Sequence, residues 1–499
     1  MQGTSFALWT GLQILAVPVF VGCWGTALYG DWLALMATAG LLALLDMGLQ
    51  VHLTSRIRAA AAVGDTALVR HVIGIGLGLY LAACAAGGAC LLTAVLAFGL
   101  TERLGLRAEG ADAAAILVGA VALVLLPRGL VACVFSSRGQ ATREVGLATA
   151  QQLCWLLGPV AAALLGGGLV EAAAAQLAAS IAVGWVALIL ALRRHHPDIR
   201  LSVVWPEAEE RRSTLRRSTL HAVSSLPGIL LLHLPVLALK QVFPTGTEVV
   251  VFSTMRTFAG LLRQVQLQLA IIAVLEMTRQ HAQGDSVGLV RMFRAISRFC
   301  SGLLGLAAAF MFAVGASFFE TWTHGTVVFD PWLALAFLLP ILGSVPAFCG
   351  TALLRHTDHA EDLLRMHLAQ LALGLVLGAA LLPWGPAGVA AALAVAELAA
   401  VGAAGIRRCA KVFGFPAGRV VVSSATTAAA ATAASAIACI LLSWAVPPRG
   451  IVGLAAYGAC WAAAMAPLSC WLLVDAEQRA MLARAAALRL PVLLRLRRT

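Results

Sequence analysis

Runs of about 20 consecutive apolar residues recur along almost the whole 499-residue chain, and nothing else in the sequence constrains the fold as strongly. At about 1.5 Å per residue, a helical run of that length crosses the roughly 30 Å hydrocarbon layer of a bilayer. A soluble core does not need so many such runs. With 61% hydrophobic and 12% charged residues, the chain also departs from soluble domains, which carry roughly 25% charge. It therefore reads as an all-α polytopic membrane protein. A secreted disulfide scaffold, a disordered tail and an ordinary cytosolic enzyme are excluded.

The runs place spans at about 8–29, 31–53, 72–100, 113–135, 147–167, 169–192, 225–243, 248–276, 295–319, 332–354, 364–383, 386–406, 421–446 and 450–474, fourteen in all. The first has no basic residue before it and is expected to be a retained span, not a cleaved signal. The loops after even-numbered spans, with the C-terminal tail, hold 28 of the 35 Lys and Arg residues when Arg298 and Arg365, in the first turns of spans 9 and 11, are counted with them, whereas the opposite loops hold 3. Cytoplasmic loops carry such an excess, so both termini are expected in the cytoplasm. The net charge of +12 does not point to nucleic acid, because no segment is long enough to form a soluble basic face. Lysine occurs only at Lys240 and Lys411, neither in a Gly-Lys-Ser/Thr setting, so no P-loop is present. The eleven cysteines form no CxxC pair. Cys23, Cys84, Cys90, Cys133 and Cys439 lie in apolar runs and read as small buried hydrophobes. No metal, cofactor or catalytic residue is expected. The long loop 193–224 holds Glu207, Glu209, Glu210, Arg211, Arg212, Arg216 and Arg217, a pattern that predicts a short helix on the membrane surface.

GDTALVR (Gly64 to Arg70) follows span 2, and GDSVGLVR (Gly284 to Arg291) follows span 8. AALL closes spans 5 and 11, at Ala162–Leu165 and Ala379–Leu382. The shared offset indicates two six-span bundles, 1–195 and 225–410, joined by an amphipathic cytoplasmic linker, 196–224. Two appended spans (411–474) and a basic tail (475–499) follow. Six being even, the bundles share one orientation, and the pseudo-twofold axis is expected along the membrane normal, with a cavity between the halves.

Charge at membrane depth is costly and normally faces a cavity or a partner. In span 8, Arg256 and Arg263 are seven residues apart and share a helix face with Gly260, while Ser253 and Gln264 flank it. This stripe reads as a cationic wall; the competing reading satisfies both arginines with Glu276, Glu397 or backbone carbonyls. His233 and Lys240 repeat the spacing in span 7, where Lys240 lies near enough to the outer interface to snorkel. Arg128 follows Pro127, which predicts a kink in span 4 beside a charge. Asp46 and Glu397 are candidates for proton or sodium coupling and equally for partners of the arginines. Cations outnumber anions at depth, and arginine binds phosphate with two parallel hydrogen bonds. An anionic ligand is therefore expected. Short outward loops, the longest about 101–112, leave little room for extracellular catalytic loops, and a transporter is favoured over an enzyme.

LLALLDMGLQ (Leu41 to Gln50), followed by a basic stretch and Gly64-Asp65, resembles the second-span signature of the bacterial polysaccharide flippases. These are the O-antigen and exopolysaccharide exporters of the multidrug/oligosaccharidyl-lipid/polysaccharide (MOP) superfamily. Gly284-Asp285 and GPAGVAAALAVAE (Gly385 to Glu397) resemble the corresponding second-half and span 12 patterns, while Leu275-Glu276 stands where that family would place a proline. The resemblance covers roughly residues 8–410. It implies carriage of an undecaprenyl-pyrophosphate-linked oligosaccharide to the outer leaflet of the bacterial inner membrane. It also implies membrane lipid, a polysaccharide polymerase and export proteins as partners. On this reading Arg256 and Arg263 take the headgroup, with Arg128, Lys240, His233 and Gln264 as further contacts. The alternatives are a lipid II flippase or a multidrug/cation antiporter of the same superfamily, and, in a different class, a membrane glycosyltransferase or polymerase. The antiporter would need carboxylates in the first half's cavity, and span 1 has none.

Overall fold

A computed structural model describes residues 2–357 and 359–473, and the basic tail expected over 475–499 lies outside the described residues. Every regular element among the described residues is helical. Eleven helices are long and apolar enough to cross a membrane, or twelve counting Pro331–Gly343 with Val345–His356, a pair bent by 54°. Two of the twelve are hairpins. Gly11–Asp46 has 36 residues, but the chain turns back at Gly25, whose φ of 67° suits only glycine. The ring centroids of Phe20 and Trp32 lie 6.3 Å apart, where twelve residues of straight helix would separate them by about 18 Å. Glu361–Phe413 has 53 residues and reverses at Leu382–Trp384 and Gly385. The reversal brings Arg408 within 2.8 Å of Asp362. Counted as two passes each, the hairpins bring the total to the fourteen expected from the sequence.

The repeat noticed in the sequence extends to hydrogen bonds. Gly64 (φ 76°) and Gly284 (φ 74°) occupy the left-handed region. Asp65 and Asp285 then cap the following helices, each side chain accepting a 2.8 Å bond from the backbone three residues on. Asp65 N donates to Ala60 O, and Asp285 N to Gln280 O, both at 3.0 Å. Pro127 and Pro346 each start a helix just after a break in their span. Widened π segments, Ser180–Val186 and Leu398–Gly405, follow at matching positions.

The described residues form two compact units, one within 2–257 and 367–393, the other within 258–366 and 394–473. The first has a core of Leu49, Leu53, Ile57, Ile73, Leu130 and Phe135. Over it lies the stretch before residue 208, strapped by a 3.0 Å bond from Val204 N to Gly74 O. Gly78 admits this strap, since a Cβ there would stand 2.5 Å from Val204 O. In the second unit, Phe293 stacks on Phe415 at 4.5 Å. Helix Ser286–Trp322 packs closely on Ala417–Ala445 through small residues, with Ser435 Oγ donating to Leu306 O at 2.8 Å.

Two expectations are corrected. The linker does not form a separate surface helix: Ala208–Val242 is one helix of 35 residues. No turn residue interrupts Arg217 to Ser225, and Pro227 and Pro235 are accommodated inside it. Glu210 ties its start to Arg56 at 3.5 Å and His71 at 3.4 Å. Cys133 and Cys439 are buried, but Cys23 and Cys90 are exposed on their helices, where a lipid-facing surface is as apolar as a core.

Candidate functional site

The second span is interrupted inside the run Leu41 to Gln50. Leu42–Asp46 tightens into a 3₁₀ turn, Met47 (φ 45°) and Gly48 (φ 70°) are left-handed, and helix restarts at Leu49. Interrupted membrane helices mark binding sites because their free backbone and half-helix ends need polar company. Here the break turns Asp46 toward Tyr80, whose hydroxyl donates to Asp46 Oδ1. Gln50 N donates to the same oxygen at 3.2 Å. Among the described residues no such break recurs in the equivalent stretch of the second half, where Thr247–Ala282 is continuous.

The break opens onto a cavity of about 630 Å³ inside the first unit. Its polar wall carries Asp46, Gln50, Gln151, Gln152, Gln176 and His233, with Trp155 among them. Two of these side chains sit on glycines. A Cβ on Gly40 would lie 2.2 Å from the His233 ring, and one on Gly129 would lie 2.4 Å from the Gln50 amide. Arg256 backs this wall. It donates to Leu232 O, next to His233, at 2.7 Å, and lies over the Phe252 ring at 5.3 Å. Among the described residues no carboxylate pairs with it.

Arg263 belongs to a separate network in the second unit. Its Nη2 lies 2.7 Å from the Glu397 carboxylate, and its Nη1 donates to Gln266 Oε1 at 3.1 Å. Ser344 Oγ, at the bend in its span, donates to Glu397 at 3.0 Å. The cationic stripe expected along span 8 is thus divided: Arg256 keeps its charge, and Arg263 is neutralised. Glu397 is correspondingly occupied. Gln264 is half-buried and takes no hydrogen bond among the described residues.

Two further candidates are structural. Lys240 does not snorkel: its side chain is 1% exposed and lies 2.5 Å from Asp31, while Nζ also donates to Pro244 O at 2.7 Å. Asp31 accepts from the backbone N–H groups of Arg107 and Ala108, both at 3.1 Å. Arg128 follows a break at Pro127 as expected, but its guanidinium fastens carbonyls of Gly184 (3.2 Å) and Leu147 (3.0 Å). Of the two, Gly184 lies in the π segment Ser180–Val186, where the regular ladder of helical hydrogen bonds is shifted.

The amides of the cavity carry no charge, so the pattern of charges at membrane depth does not mark them. The adjacent pair Gln151-Gln152 inside an apolar run was the available signal.

No family model and no curated protein matches the chain. Among solved structures, the chain is similar to the lipid II flippase MurJ in an inward closed conformation, with a TM-score of 0.64 at 10% identity over 93% of this chain and 99% of that one. It is also similar to an inward-facing multidrug-resistance MATE family transporter of the MOP superfamily, with a TM-score of 0.61 at 17% identity over 81% of this chain and 95% of that one. The same kind of transporter in an outward-facing conformation gives 0.54 at 18% identity, over 83% and 96%. The chain has the fold of the MOP-superfamily transporters.

Proposed function

We propose that this protein is a flippase carrying an undecaprenyl-pyrophosphate-linked oligosaccharide from the inner to the outer leaflet of a bacterial inner membrane, both termini cytoplasmic, for surface polysaccharide synthesis. It is read as a transporter working by alternating access, not as an enzyme. The observation that carries this is Arg256, a guanidinium at membrane depth held by a carbonyl and a ring instead of a carboxylate. Its charge is available to a phosphorylated headgroup, which arginine grips with parallel hydrogen bonds. Arg263 would first have to leave Glu397, so it is a secondary contact. A multidrug cation carrier is less well supported, because the cavity's single carboxylate, Asp46, already accepts two hydrogen bonds. The likeness to MurJ favours a second reading with the same cationic logic, a lipid II flippase, and essentiality for growth separates the two.

Arg256→Ala should leave the protein inserted and make lipid-linked oligosaccharide accumulate on the cytoplasmic leaflet, with export reduced about tenfold or more. Normal surface polysaccharide in that variant would refute the reading.

A further inference from the structure

We propose that the cavity of the first unit is a subsite for the sugar residues of the carried lipid, resting on the flippase reading above. Four glutamine amides, Gln50, Gln151, Gln152 and Gln176, meet in one hollow of about 630 Å³. That volume lies within the range of ordinary small-molecule sites. An unpaired amide at membrane depth is costly, so a cluster of them needs a reason. Gln176 shows the point most sharply. The residue is 1% exposed and lines the hollow, its Nε2 reaches only Trp155 O at 3.4 Å, and its buried Oε1 has no partner among the described residues. Among the described residues the side chains of Gln50, Gln151 and Gln152 take no hydrogen bond either.

The chemistry selects the ligand. A carboxamide both donates and accepts and carries no charge, which matches the hydroxyl and acetamido groups of a glycan. It does not match a phosphate, which calls for cations, or an organic cation, which calls for carboxylates. The glycine seat under Gln50 admits that amide closely against the backbone, the kind of support that preorganised recognition requires. Arg256 is not itself part of the lining, but its bond to the carbonyl of Leu232, the residue before His233, puts a cation for a pyrophosphate near the His233 end of the wall.

The test uses the purified full-length protein in detergent and two probes: undecaprenyl pyrophosphate, and the same lipid bearing one N-acetylglucosamine. The sugar-bearing lipid should bind the wild type about tenfold tighter or more. Gln151→Leu/Gln176→Leu should erase that difference while keeping the affinity for the bare lipid, which also shows that the variant is folded. Gln152→Leu, more conservative, should shrink the difference in the same direction. Arg256→Ala should weaken both lipids. A sugar that adds no affinity to the wild type, or glutamine variants that weaken both lipids alike, would overturn the subsite while leaving the flippase standing. Failure of both lipids to bind the wild type would overturn the flippase reading and the subsite with it.

Discussion

Replacing Lys240 with methionine isolates a buried charge. In the wild type Lys240 and Asp31 are 1% and 5% exposed and 2.5 Å apart, so neither can turn to solvent. Removing one partner of such a pair destabilises by about 3–5 kcal/mol, chiefly because the other charge stays buried. Asp31 keeps the backbone donors of Arg107 and Ala108, which moves the loss toward the lower end, about 3 kcal/mol. Adding Asp31→Asn removes the stranded charge and keeps an oxygen for those donors. Lys240→Met/Asp31→Asn should therefore recover to within about 1–2 kcal/mol of the wild type. Thermal unfolding of the detergent-solubilised protein, followed by tryptophan fluorescence, should place the double variant above Lys240→Met. If the double variant melts at or below the single one, the pair is not the buried unit described here. A Lys240→Met protein that melts normally but has lost transport would return Lys240 to the substrate.

Gly40→Val should drive a side chain into the His233 ring, 2.2 Å from the new Cβ, and abolish transport while membrane insertion, seen by fractionation, is unchanged. Gly78→Ala meets a backbone oxygen at 2.5 Å, which cannot swing aside, so the strap before residue 208 should lift and become sensitive to limited proteolysis. Outside the membrane, burial and the Arg138 guanidinium hold the His196 imidazole below its ordinary value of 6.5. Its stabilising contribution is present above about 6.5 and is lost as pH falls below it. Thermal midpoints should drop from pH 7 to pH 5, and His196→Gln should flatten that slope. The hydrogen bond from Arg138 lowers the Asp198 carboxyl below its usual 3.8, so that contribution disappears only under stronger acid; because the Asp198 charge partly offsets Arg138 at the imidazole, Asp198→Asn should steepen the slope from pH 7 to 5.

The features legible in the sequence are those written locally. Span positions follow from run length. The Gly64-Asp65 and Gly284-Asp285 turns follow from a glycine that tolerates positive φ next to an aspartate that caps. The break at Asp46 lies inside the run Leu41 to Gln50, but its left-handed Met47 has no signature in an apolar string. The pairs Lys240 with Asp31 and Arg263 with Glu397 join residues far apart in the chain, and spacing along one helix carries no information about them. Arg256 and Arg263 looked equivalent for that reason, and only the fold separates a free cation from a paired one.

The interrupted helix at Leu42–Gly48 also limits how alike the two halves can be. Capped turns, proline breaks and π segments occur at matching positions in both. The interruption beside Asp46 has no counterpart among the described residues of the second half. A molecule held at that point therefore meets a lopsided surface, and exchanging one half's helix for the other's would not be neutral.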